Sequence, residues 1–156
     1  MSQSLSPKLS KIRGVLPVFQ TPFHADETVD FASLEREIEW LYEQGADGIV
    51  MAMVSEVLRL SSEEREQVAE AACRLGGRQG VVVISVGAES GYLAERLARQ
   101  AEAVGASAVM AIPPTSVAAS EDELKRYYER LLAAVEIPVI IQDASGYVGR
   151  PMSIEL

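Results

Sequence analysis

GADGIVMAMVSEVLRLS, residues 45–61, contains in order a helix stop, a buried strand, a polar strand end and a helix start. Gly45 can take the left-handed conformation that ends a helix, and Ile49 to Met53 is an unbroken apolar run too short for most helices. Polarity arrives at Ser55 and Glu56. Ser61 followed three residues later by Glu64 has capping-box spacing, so a new helix begins there. The stretch is one strand-loop-helix unit with its loop at the strand's carboxyl end, where ligands bind in parallel α/β architectures.

The unit recurs. Gly45 to Met51 aligns with Gly105 to Ala111, the same helix stop and buried strand sixty residues later, with one further unit between them. The period is therefore about thirty residues, the size of a βα module.

A 156-residue chain with 48% hydrophobic content has enough apolar sequence for one domain with a substantial core and too much for disorder. The net charge of −9 and the scatter of 14 basic residues argue against a nucleic-acid partner. Cys73 is the one cysteine, which excludes an internal disulfide framework or a thiolate metal cluster and fits a reducing cytoplasm. No metal site and no cofactor are expected. Residues 1–13 lack the apolar core of a signal peptide, and no run approaches the roughly 18 apolar residues of a membrane span. A soluble protein without a membrane partner is expected.

Along the chain, residues 1–13 read as a polar lead-in and residues 14–156 as one α/β domain. A first strand is expected over Gly14 to Gln20, with Pro17 suiting its early or irregular part. Asp30 caps a helix with the stripe Leu34, Ile38 and Leu41, ending at Gly45. The second strand spans Gly48 to Met53, and a helix from about Ser62 to Leu75 turns Val68, Ala71, Ala72 and Leu75 inward. The third strand is Val81 to Val86, apolar except at Ser85. After the Gly87 to Ser90 loop and cap comes a helix carrying Leu93, Leu97 and Val104. The fourth strand, Ala108 to Ile112, stops at Pro113-Pro114. Ser120 and Glu123 form another capping box, opening a helix with Leu124, Tyr127, Tyr128, Leu131, Leu132 and Val135. The fifth strand is Pro138 to Gln142, a turn-rich loop follows to Gly149, and residues 151–156 look like the start of a sixth element.

Strands apolar on both faces, alternating with helices, mean a parallel sheet covered by helices. Two closures are open: a five-stranded doubly wound sheet, complete at this length, or a (β/α)8 TIM barrel of which the chain supplies about the first five strands. The lack of a glycine-rich phosphate loop after the first strand leans toward the barrel.

The sequence resembles the dihydrodipicolinate synthase and N-acetylneuraminate lyase family of pyruvate-dependent class I aldolases. The matching pieces are Gly14-Val15-Leu16-Pro17-Val18 leading to Thr21-Pro22-Phe23, Val29-Asp30, GADGIV at 45–50, Glu56 before Leu60-Ser61, the Gly87 loop, Gly105-Ala106 and Ile137-Pro138. The resemblance implies a (β/α)8 barrel, a lyase that cleaves, condenses or dehydrates a small 2-oxo acid through a Schiff base, and self-association, since family members are often tetramers. It also implies that the nucleophilic lysine stands on a sixth strand, beyond Leu156. Lys8, Lys11 and Lys125 are not placed at a strand end.

Several positions depart from the family pattern. Where the family's loop after the second strand reads Gly-Thr/Ser-Thr-Gly-Glu, this chain reads Ala52-Met53-Val54-Ser55-Glu56. Gln142 stands where the family commonly has a proton-shuttling tyrosine, and an amide cannot ionise usefully. Gln142 is the expected occupant of that catalytic position. Tyr147 maps near a synthase arginine and reads as a lid aromatic or a packing residue. The substrate-binding candidates are Thr21, Val54, Ser55, Glu56, Thr115, Asp143 and Tyr147. Thr21 bonds either the neighbouring loop or a ligand. Ser55 is a ligand donor or a turn serine. Glu56 holds its loop by accepting backbone amides or acts on substrate. Met53 and Val54 line an apolar part of the pocket, Thr115 replaces a family hydroxyl or serves its loop, and Asp143 pairs with Gln142 or caps a turn. His24 is read as solvated and Cys73 as core.

Three readings stay in play: a lyase completed by sequence beyond this chain, a non-catalytic barrel that binds a metabolite, and a half barrel that dimerises to cover its exposed fifth strand.

Overall fold

The computed structural model describes residues 12–116, 118–143, 146 and 152–153. Within them four parallel strands, β1 (Gly48–Val50), β2 (Val81–Ser85), β3 (Ala108–Ala111) and β4 (Val139–Ile141), alternate with four helices, α1 (Phe31–Glu43), α2 (Ser62–Gly76), α3 (Gly91–Ala103) and α4 (Glu121–Ala134). The strands lie in sequence order β1-β2-β3-β4. The lead-in up to residue 11 and Tyr147 fall outside the described residues.

Each helix starts where a side chain accepts an otherwise orphaned amide. Asp30 accepts from Ser33 N, Ser90 from Leu93 N, and the two capping boxes pair Ser61 with Glu64 and Ser120 with Glu123. Gly45 and Gly105, at φ +89° and +98°, turn the chain out of α1 and α3 into the next strand. α2 runs one residue past its expected end, to Gly76, which lies close against Ile49, Tyr42 and Val82; a Cβ there would come within 3.0 Å of all three.

The sheet's two faces are unequal. Ile49, Met51, Val82, Ile84, Val86, Val109 and Ala111 pack against α1 to α4 in the main core, anchored by Leu34, Ile38, Val68, Leu97 and Leu131. Val50, Ala52, Val83 and Ala108 form a smaller cluster on the opposite face, joined by Leu16, Val18, Met110 and Ile140 and, among the described residues, by none from a helix. Sequential strand order with all four helices on one face means the sheet is wound singly, as in a barrel. A doubly wound sheet would reverse its order and cover both faces.

Three expectations need correction. Residues 14–20 form no regular strand: the segment runs irregularly beside β1 with one parallel bridge, Val18 to Val50, and backbone hydrogen bonds from Asp47 N to the Val15 carbonyl (2.9 Å), Val50 N to the Pro17 carbonyl (2.9 Å) and Phe19 N to the Val50 carbonyl (3.2 Å). Pro17 has no amide to donate, Gly14 sits at φ +86°, and Val15 N is held by the Asp47 carboxylate (2.8 Å) instead of a ladder carbonyl. Met53 lies outside its expected strand, in a 3₁₀ turn over Met53–Ser55. Leu132 is 57% exposed, one helical step of about 100° from the inward stripe of Leu124, Tyr128 and Leu131.

Candidate functional site at the carboxyl rim of the sheet

All four strands are parallel, so their carboxyl ends lie along one rim, which carries the loops after β1, β2 and β3. After β1 the 3₁₀ turn is locked by Ser55. Its hydroxyl donates to the Phe19 carbonyl (2.5 Å) and accepts from Ala52 N (3.1 Å), while its own carbonyl accepts from Thr21 Oγ1 (2.7 Å). Both side chains are buried. Thr21 thus bonds the loop, and the hydroxyls of Thr21 and Ser55 are spent on shaping it.

Glu56 follows in the left-handed region at φ +64°, and its carboxylate pairs with Arg59 rather than with backbone amides. The fixed turn leaves Val54 and Leu58 each 51% exposed. With Gln20, Met53, Glu56 and Arg59 they border a depression of about 480 Å³ beside the β1 end. Met53, Val54 and Leu58 give the depression an apolar side, and Gln20, Glu56 and Arg59 a polar one.

Glu89, in the loop after β2, accepts from Thr115 N (3.0 Å), Thr115 Oγ1 (2.8 Å) and Ser116 N (3.1 Å). This clamp ties the loops after β2 and β3 and takes up the Thr115 hydroxyl. Desolvation pushes the Glu89 carboxyl up, but the hydrogen bonds from Thr115 and Ser116 outweigh it and hold the group below its ordinary range.

Beneath the loop after β2 lies Arg65, buried on α2. Its Nη2 donates to the carbonyls of Ser85 (3.1 Å) and Gly87 (3.0 Å). Burial draws its pKa down to about 10, with Tyr127 opposing, so the guanidinium stays charged at neutral pH. The Tyr127 hydroxyl accepts from Ala88 N (3.0 Å) and lies 3.2 Å from the Ala88 carbonyl, pinning the next residue of that loop.

At the β4 end, Gln142 N donates to the Ala111 carbonyl (3.0 Å), continuing the sheet by one bond, and its side-chain oxygen is buried without a partner among the described residues. Asp143 is exposed next to it and faces Tyr128 electrostatically; burial first, then Tyr127 and Asp143, raise the Tyr128 pKa. The structure therefore brings Thr21, Val54, Ser55 and Glu56 together at the β1 end and sets Thr115, Gln142 and Asp143 along the ends of β3 and β4. His24 stays half exposed, 3.8 Å from Asp30. Cys73 is buried in the core, its thiol pushed up to about 12 by burial.

The sequence reading did not single out Arg65 or Glu89, and it took Tyr127 only as part of its helix's apolar stripe. Arg65 sits between Glu64 and Glu66 and resembles a surface residue, yet it shares the inward spacing of Val68, Ala69 and Ala72. That spacing was the available signal.

A sequence model described as the dihydrodipicolinate synthetase family matches residues 11–156. The chain belongs to this family. Among curated relatives it is 33% identical over 129 residues to a 4-hydroxy-tetrahydrodipicolinate synthase of Acidiphilium cryptum, covering 82% of this chain and 44% of that protein. It is 30% identical over 149 residues to the L-2-keto-3-deoxyarabonate dehydratase of Azospirillum brasilense, covering 92% and 47%. Among solved structures, the chloride-inhibited dihydrodipicolinate synthase of Acinetobacter baumannii complexed with pyruvate superposes with a TM-score of 0.86 at 31% identity, over 91% of this chain and 49% of that one. The chain spans about half the length of the relatives it matches. Its singly wound sheet is thus part of the family's (β/α)8 barrel, and the rim described above lies at the carboxyl ends of that barrel's strands. No helix among the described residues is long and apolar enough to cross a membrane.

Proposed function

We propose that this chain provides the first strands of a lyase barrel that cleaves, condenses or dehydrates a small 2-oxo acid through a Schiff base to a lysine outside residues 1–156. Family membership carries the reading, together with a rim whose loops are held rigidly by buried hydrogen bonds, as pre-organised chemistry requires. The relatives include both a synthase and a dehydratase, and the solved Acinetobacter baumannii enzyme was captured with pyruvate. In this reading Gln142 fixes a substrate oxygen without passing a proton, Val54 forms the apolar wall, and Asp143 and Tyr147 are further substrate-binding residues. Thr21 and Ser55 contribute by shaping the mouth, and the partly exposed Glu56 and Thr115 contribute by contacting substrate as well. Self-association and a cytoplasmic location belong to the same proposal.

The test is borohydride reduction of the complete barrel in the presence of pyruvate or a sugar-derived 2-oxo acid. The expected result is one lysine carrying the mass of the ligand. Absence of an adduct with every 2-oxo acid tried would refute the lyase.

A second reading, a barrel of the same fold that binds a metabolite without turning it over, draws support from the apolar Met53 and Val54 and from an amide at position 142. It expects ligand-dependent thermal stabilisation with no product formed.

A further inference from the structure

The depression of about 480 Å³ beside the β1 end has the size of a small-molecule site. Two of its lining residues place it on the mouth side of the sheet. Leu16 and Val18 belong to the cluster opposite the helices, and Gln20 follows them in steps of two residues, which continues that inner face up to the rim. Ala52, in the same cluster, leads directly into Met53 and the 3₁₀ turn. β1 has a neighbour on each side, residues 14–20 on one and β2 on the other. The strands that complete a barrel join at the outer edges of this array, so none of them pairs with β1.

Inside the depression the charges are balanced and the nearby hydroxyls are used. Glu56 pairs with Arg59, and the hydroxyls of Thr21 and Ser55 are bonded to backbone within the loop. What is open to a ligand is the neutral Gln20 amide and the apolar side made by Met53, Val54 and Leu58. Val57 and Leu60, in the same loop, are buried. The loop therefore has its own packed anchors and still turns Val54 and Leu58 outward. A hydroxyl-bearing group set against these two side chains loses water and gains no hydrogen bond, whereas an apolar group gains by leaving water.

We propose that Val54 and Leu58 are specificity-determining residues, and that the 2-oxo acid taken at this mouth carries, on the end remote from its oxo group, an apolar substituent that lies on them. This rests on the 2-oxo acid reading and adds the class of substrate to it.

The experiment uses the complete barrel and two probes, 2-oxo-4-phenylbutanoate and 2-oxo-5-hydroxypentanoate. Neither has a hydroxyl on its fourth carbon, so neither can be cleaved or dehydrated there during a titration. Wild type is expected to bind the phenyl probe about tenfold or more tightly than the hydroxyl probe. The double variant Val54→Thr, Leu58→Asn, which keeps side-chain size and adds polarity, should bring that ratio below about threefold, and Val54→Ile should keep it. Equal binding by wild type, or a preference for the hydroxyl probe, overturns the proposal, as does a preference that survives in the double variant. Melting and sedimentation without ligand test the other possible covers. A double variant that melts several degrees below wild type, or that forms a smaller assembly, shows that protein rather than ligand covers the two side chains, and the proposal falls. Failure of borohydride trapping sinks the lyase reading but leaves the probe ratio measurable, whereas a trapped pyruvate adduct with equal binding of the two probes sinks the substrate class alone.

Discussion

The Glu89 carboxylate joins two rim loops through Thr115 and Ser116, and its pKa is held below the ordinary value of 4.5. A carboxylate depressed in the folded state stabilises the fold above its unfolded pKa and loses that contribution as pH falls through the folded value. Glu89→Gln should therefore lower the melting temperature near neutral pH, by about 1 kcal/mol at most because the group is exposed to solvent. The gap between variant and wild type should close as pH is taken from about 6 to about 3. A gap independent of pH would mean the charge contributes nothing. Other residues show how far sequence reading reaches at this scale. Ser55 and Thr21 are the residue types a ligand site uses, but their hydroxyls face Phe19 and each other's loop, contacts made across more than thirty residues of chain. A hydroxyl's partner depends on which backbone folds beside it, so local sequence leaves ligand and loop equally open.

Elements were the most legible level, because caps and apolar stripes act within a few residues. Ser61 with Glu64 and Ser120 with Glu123 form the reciprocal bonds that their spacing predicts. The first strand was less legible: Pro17 tells of an irregular strand, but only the Asp47 contact to Val15 shows why a single bridge survives. Glycines divide by what surrounds them. At Gly105 nothing lies within 4 Å of an added Cβ, and the φ of +98° alone opposes a side chain. At Gly87 the added atom meets Ile112 nitrogen and oxygen at 2.8 Å, and backbone cannot step aside. Gly105→Ala should cost about 1 kcal/mol, whereas Gly87→Ala should cost about 1–3 kcal/mol and also displace the strand end that carries Ser85. Urea unfolding of the two variants checks this order. Equal losses would argue that β2 and β3 can part at the rim without penalty.

For the whole molecule, β2 and β3 have a neighbour on each side, while β4 is the last strand of the sheet among the described residues and leaves Ile141 46% exposed. Amide exchange of residues 1–156 in isolation should be slowest in β2 and β3 and fastest among the strands in β4; in a complete barrel, β4 should become as protected as β2. Equal protection in the isolated chain would show that β4 is already covered, as a dimerising half barrel requires. The sequence by itself determined the βα repeat, the helix starts, the apolar strands and the family, since these depend on spacing and on interactions within one or two turns. Only the tertiary structure decided that all four helices cover a single face. It also decided that the hydroxyls of Thr21 and Ser55 are consumed in holding a loop, and that Arg65 is buried under the rim. Each of these depends on which distant segments come to lie side by side. A strand's pattern shows that both its faces are buried but not what buries them.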